Sequence, residues 1–220
     1  SSKNVFYTGA APNQQAIPAT DYYLDELGVK KFALLGTDYV YPRTTNKILK
    51  QYLIDKGIPE SDIFVNYTPF GHSDWSKIVG DVVALGADGK KVGVISTING
   101  DANIGFYKEL AAAGIKADDI PVVAFSVGEE ELSGLDTKNL VGHLAAWNYF
   151  QSAESDLNTK FIKKWKAKMG DKRVTNDPME AHVIGFEMYV KAVEKAGSTD
   201  VDAVRTVSYT HLTLPTKSRG

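Results

Sequence analysis

The chain has no cysteine among its 220 residues. That excludes disulfides, thiolate metal ligands and a cysteine nucleophile together, and leaves the redox compartment open. No apolar run approaches the length of a transmembrane span, so no insertion of this chain into a membrane is expected. No secretory leader pattern opens the sequence, and Ser1-Ser2-Lys3-Asn4-Val5 reads as the interior of something longer. Charge of neither sign dominates: 25 Lys and Arg stand against 27 Asp and Glu, a formal net charge of −2. Without a basic stripe, a nucleic-acid surface is not expected. Neither GxGxxG nor a P-loop follows any apolar run, so nucleotide binding has no support. His143 and His182 are isolated, no histidine pair has HxxxH spacing, and no metal or other cofactor is expected. The triad-like trio His72-Ser73-Asp74 is contiguous, and adjacent side chains cannot line up as a triad. It reads as a helix start with a Ser or Asp cap.

What is present is 43% hydrophobic and 24% charged sequence, an ordinary balance for a globular chain with a real core. Its organising stretch runs from Lys30 to Leu53. Phe32 to Leu35 is a continuous apolar run, as expected of a strand buried on both faces of a parallel sheet. The run breaks at Gly36, passes Tyr39, Tyr41 and Pro42, and turns helical from about Thr44. A loop at the carboxyl end of such a strand is where open α/β sheets bind small ligands. Two tyrosines there suit a small planar polar molecule, by stacking on its face and bonding its edge; ordinary loop or core tyrosines would look the same.

The same rhythm repeats along the chain. Residues 4 to 9 read as a strand running into a Gly loop, which puts Tyr7, Thr8 and Gly9 at a second strand end, and a helix follows from about Gln14 to Leu27. Ile63 to Phe70, Lys91 to Thr97, Ile120 to Ser126 and Leu140 to Phe150 read as further strands. Helices are expected at 75–85, 106–113, 159–169, from Pro178 to a stop at Gly197, and from Val201. The Lys160–Lys168 helix reads as a solvated face over an aromatic stripe, Phe161 and Trp165. Strand, loop and helix in alternation predict an α/β fold with a doubly wound parallel sheet. The last fourteen residues, Val207 to Gly220, break the pattern. They resemble translated adaptor read-through, are read as a non-native tail with little packing, and leave Tyr209 and His211 without a functional role.

Several segments together carry a family resemblance: FYTGAAPNQQAIPATDYYL, LLGTDYVYPRTTNKIL, NYTPFGHSDWSKIV, VISTINGDAN, PVVAFSVGEEEL, GHLAAWNYFQS and RVTNDPMEAHVIGFEMYVKA. The chain resembles the type I periplasmic (solute-) binding proteins of ABC transporters, nearest to the components that bind urea and short-chain amides. The resemblance implies a type I periplasmic-binding-protein fold, two Rossmann-like lobes closing on a ligand through hinge strands. Such proteins are about twice this length. Residues 3–29 would be the end of an incomplete first lobe, 30–172 a near-complete second lobe, and 173–206 the return to the first.

It further implies a non-catalytic protein at the periplasm or cell surface that delivers its ligand to an ABC permease. A cytoplasmic amide-sensing regulator of the same fold is the alternative. An α/β enzyme is disfavoured, since no nucleophile elbow GxSxG is present. Carried over residue by residue, the ligand-binding positions are Tyr7, Thr8, Gly9 and Ala10 from the first lobe. The second lobe supplies Tyr39, Tyr41, Thr97, Ile98 and Asn99, extended to Ser126 and Glu129. Urea has four N–H donors and one acceptor, so it needs an acid or carbonyl on one side and hydroxyl or amide donors on the other. Glu129 is the acid expected to reach it, unless it only starts a helix; Glu130 and Glu131 are expected to face solvent or cap.

Overall fold

The computed structural model describes residues 2–210. Among them, five strands form one parallel sheet: β1 (Lys31–Thr37), β2 (Ile63–Thr68), β3 (Val92–Thr97), β4 (Val122–Ala124) and β5 (Leu144–Ala145), in the order β2-β1-β3-β4-β5. β1 and β3 are buried along their whole lengths, which is why their centres, Phe32 to Leu35 and Val92 to Ile95, are continuous apolar stretches rather than alternating ones. This is the doubly wound α/β sheet anticipated from the sequence, covered by helices on both faces.

On one face lie α3 (Ser76–Leu85) and α4 (Ala102–Ala112), packed through Val79, Val82, Phe106 and Leu110 around Trp75. On the other lie α1 (Ala16–Asp25) and α2 (Val40–Asp55), packed through Tyr23, Leu49 and Leu53 onto Phe32, Leu34 and Ile95. The Tyr23 hydroxyl donates to the Val94 carbonyl at 3.3 Å. α1 thus packs as a layer on this sheet.

After β5 the chain builds α6 (Asp156–Met169), α7 (Asp177–Ala196) and α8 (Val201–Thr210), with the four-residue α5 (Glu129–Leu132) placed earlier, after β4. α7 packs chiefly on α8 and carries Phe186 and Tyr189 on an exposed apolar side.

Several expectations are corrected. Residues 4–9 form no strand, having no neighbouring strand among the described residues to pair with. α2 begins at Val40, not near Thr44, because a proline is tolerated in a first turn, where its missing N–H has no intrahelical acceptor. Residues 140–150 pair only over Leu144–Ala145 before the chain turns away. α3 takes Trp75 as its N-cap, and Asp74 instead accepts from the Ser76 amide at 3.3 Å. The segment from Val207 to Tyr209 is not unpacked: it continues α8, and the Tyr209 ring lies 4.7 Å from that of Phe6. The rest of the expected tail, His211 included, lies outside the described residues.

His143, just before β5, gives a pH test. Its Nδ1 accepts the Val122 amide N–H at 3.1 Å, so the ring is neutral, and burial holds its pKa below the ordinary 6.5. Between the folded and unfolded values the unfolded chain binds more protons. Stability is therefore complete above about 6.5 and falls as pH drops through the folded value. Thermal melts at pH 7.5 and 5 should show a loss in the native chain that is smaller in His143→Gln; equal losses would contradict it.

Candidate functional site

A sheet of order 2-1-3-4-5 reverses direction between β1 and β3, and the loops leaving these strands diverge there and open a crevice. That is where the structure has a cleft of about 290 Å³, bounded by the loops after β1, β3, β4 and β5 and the start of α7. From β1 comes Tyr41, in the first turn of α2. Its phenol is pushed up to about 12, chiefly by burial, although the hydrogen-bonding Ser126 hydroxyl acts against this. The phenol therefore stays protonated at neutral pH and can donate. From β3 come Asn99 and Gly100. Asn103 shapes that turn, its Nδ2 donating to the Ile98 carbonyl at 3.0 Å and the Gly100 carbonyl at 3.2 Å. From β4 come Phe125 and Ser126, and from β5 comes Trp147.

Of the positions anticipated, Ala10, Tyr41, Asn99 and Ser126 line this cleft. The others lie elsewhere. Thr97 and Ile98 are fully buried, Thr97 Oγ1 is spent on the Leu35 carbonyl at 3.1 Å, and Ile98 belongs to the core. Tyr39 is half-buried outside the cleft lining, its ring 5.1 Å from Phe70 and 6.1 Å from Tyr41. Tyr7 is 82% exposed and Gly9 is exposed, while Thr8 rests on α7 at Gly185. Glu129 is not part of the cleft lining: its Oε1 accepts the Gln151 amide, and its Oε2 is buried with no hydrogen-bond partner among the described residues. Glu131 lines the cleft instead, and its Oε2 accepts the Gly128 amide at 2.9 Å, so capping and cleft position coincide in one residue.

The sequence reading missed Gln15, Trp147 and Asp177. Gln15 Nε2 donates to the Ala146 carbonyl at 2.6 Å and the Phe125 carbonyl at 3.3 Å, bridging the ends of β4 and β5. Trp147 donates its indole N–H to the same Phe125 carbonyl. Its position just past an apolar strand run was the available signal. The Trp147 ring covers Gly128 so closely that a Cβ there would overlap it. Gly128→Ala should therefore displace the indole at a cost of about 1–3 kcal/mol, with a shift in tryptophan emission. An unchanged melt and spectrum would contradict the contact. No group of His, Asp or Glu able to hold a metal occurs among the described residues.

The periplasmic binding protein domain family matches residues 1–216. Solved structures share the fold. A fatty acid ABC transporter substrate-binding protein from Thermomonospora curvata superimposes with a TM-score of 0.75 at 16% identity, over 94% of this chain and 53% of that one. A solute-binding protein of an ABC transporter from Rhodopseudomonas palustris, in complex with p-hydroxybenzoic acid, gives 0.74 at 22% identity, over 90% and 52%. An amino acid ABC transporter substrate-binding protein from Pseudomonas fluorescens gives 0.69 at 18%, over 88% and 49%. The chain spans about half the length of each of these relatives. With the sheet order, the cleft at its reversal and a match running almost end to end, the chain belongs to the periplasmic binding protein domain family.

Proposed function

We propose that this chain forms part of an extracytoplasmic solute-binding protein that captures urea or a short-chain amide and delivers it to an ABC permease. In this reading the sheet and its helices are one lobe. α7, α8 and the segment holding Tyr7, Thr8 and Gly9 belong with the other. The supporting observation is the character of the cleft wall. It offers the hydroxyls of Tyr41 and Ser126, the amide of Asn99 and the carboxylates of Glu131 and Asp177, and among the described residues no Lys, Arg or His lines it. A carboxylate ligand, such as the p-hydroxybenzoic acid of the Rhodopseudomonas palustris protein, would be placed beside two acids with no cation to balance it. A small neutral molecule rich in N–H groups pairs with both kinds of partner, and the wrong ligand leaves buried groups unpaired.

Thermal-shift titrations with urea, acetamide, formamide, leucine and p-hydroxybenzoic acid test this. A ligand at 100 times its Kd adds about 2.7 kcal/mol, a rise of about 5–11 °C for a chain of this size. The expected result is a saturable rise with urea or an amide and none with leucine or p-hydroxybenzoic acid. The reverse ranking overturns the ligand class.

A further inference from the structure

Asp177 stands where two structural units meet. It is the first residue of α7, is 7% exposed, and lines the cleft. Its Oδ2 accepts two backbone N–H groups from the segment leaving β5, Asn148 at 2.7 Å and Tyr149 at 2.9 Å. Both bonds fall on one oxygen, so the other keeps its capacity to accept.

The neighbouring contacts tie the same two segments. The Thr175 amide donates to Gln151 Oε1 at 2.9 Å, the Thr175 hydroxyl lies 2.7 Å from that of Tyr149, and Arg173 pairs with Glu130 at 3.0 Å. Further along, α7 rests on α8 and on Thr8 rather than on the sheet. The first turn of α7 is thus its joint with the sheet layer, and Asp177 and Pro178 of that turn also face the cleft, Asp177 being the one with a polar side chain.

We infer that Asp177 contacts the ligand and, through its hold on Asn148 and Tyr149, couples occupancy of the cleft to the setting of α7. The inference rests on the reading of the cleft as a site for an N–H-rich neutral ligand. An N–H donor bonding to the free oxygen fixes the carboxylate, and with it the two amides it already holds. A ligand that does this stabilises one setting of the joint over others, which is the differential interaction that a population shift requires.

Asp177→Asn separates this from a merely structural role. An asparagine oxygen can still accept from the two amides, while its other arm becomes a donor and repels an N–H ligand. The readouts are titration calorimetry with urea and acetamide, and hydrogen exchange at the Asn148 and Tyr149 amides with and without ligand, on the 220-residue chain. In the native chain, ligand should slow exchange at both amides. Asp177→Asn should keep the cooperative melt, bind about tenfold or more weakly, as for a lost hydrogen bond to a charged group, and lose the ligand-dependent slowing. Asp177→Glu, which keeps the acceptor, should recover part of the affinity.

Native-like affinity in Asp177→Asn, or exchange at the two amides unaffected by ligand in the native chain, overturns this inference and leaves the ligand reading intact. A native chain that binds neither probe overturns both. If Asp177→Asn does not fold, the native exchange comparison still decides.

Discussion

Replacing Trp75 with alanine should lower stability by about 3–5 kcal/mol, the range for deleting a buried indole. For a chain of this size that is a fall in Tm of about 6–20 °C. Trp75 is 1% exposed, and its ring lies 5.2 Å from Phe106 and 4.9 Å from His72, at the point where α3 and α4 meet on one face of the sheet. The space is cut to its shape. A Cβ on Gly105 would come within 3.0 Å of the indole, so α4 packs directly against the ring at this glycine. Its Nε1 is buried with no hydrogen-bond partner among the described residues, and such an orphaned donor costs about 1–3 kcal/mol. Trp75→Phe keeps most of the contact and removes that donor, so it should cost far less than Trp75→Ala. Calorimetric melts of the two variants check the contrast; equal losses would show that the indole N–H is satisfied in solution.

The largest effect on binding is expected at Tyr41. Tyr41→Ala should weaken urea or amide binding about 10- to 100-fold, since a half-buried aromatic anchor in a cleft wall commonly carries 2 kcal/mol or more. Tyr41→Phe removes only the hydroxyl and should cost about 2- to 10-fold, the worth of one neutral hydrogen bond. Both should fold, because the side chain is only half-buried and is not part of either core cluster. With its phenol pushed up to about 12, Tyr41 should cause no loss of affinity between pH 7 and 9. Native affinity in Tyr41→Ala would remove this residue from the site.

The sheet was legible because β1 and β3 are buried on both faces, so their centres needed no alternation and stand out as continuous apolar stretches. Strand order does not appear in the sequence, yet it decides which loops form the crevice. The expectation for residues 4–9 failed because a β-prone hexapeptide is a strand only beside another strand. Residues 140–150 failed for a related reason: after Ala145 the chain leaves the sheet to place Trp147 over Gly128. The acids could be found but not told apart. Glu129, Glu130 and Glu131 follow one another around a single turn, about 100° apart. Which one faces the cleft depends on where α5 begins, and boundaries are what sequence pattern fixes least. Asp177 was passed over because Asn-Asp-Pro reads as a helix start and nothing more. Its two amide partners lie 28 and 29 residues back, beyond any local pattern.

The sheet order also sets a timetable. Of the five described strands β1 is made first, and it ends up flanked by β2 on one side and β3 on the other. About 60 residues separate its end from that of β3, which takes about 3–12 s at roughly 5–20 residues per second. During that interval the flank of β1 that β3 will cover stays open. The open flank of β1 is a parallel, apolar edge, the kind that captures a neighbouring chain. Slower synthesis across residues 70–97 should therefore raise the insoluble fraction, while variants that weaken β4 or β5, added at the far side, should leave this early exposure unchanged.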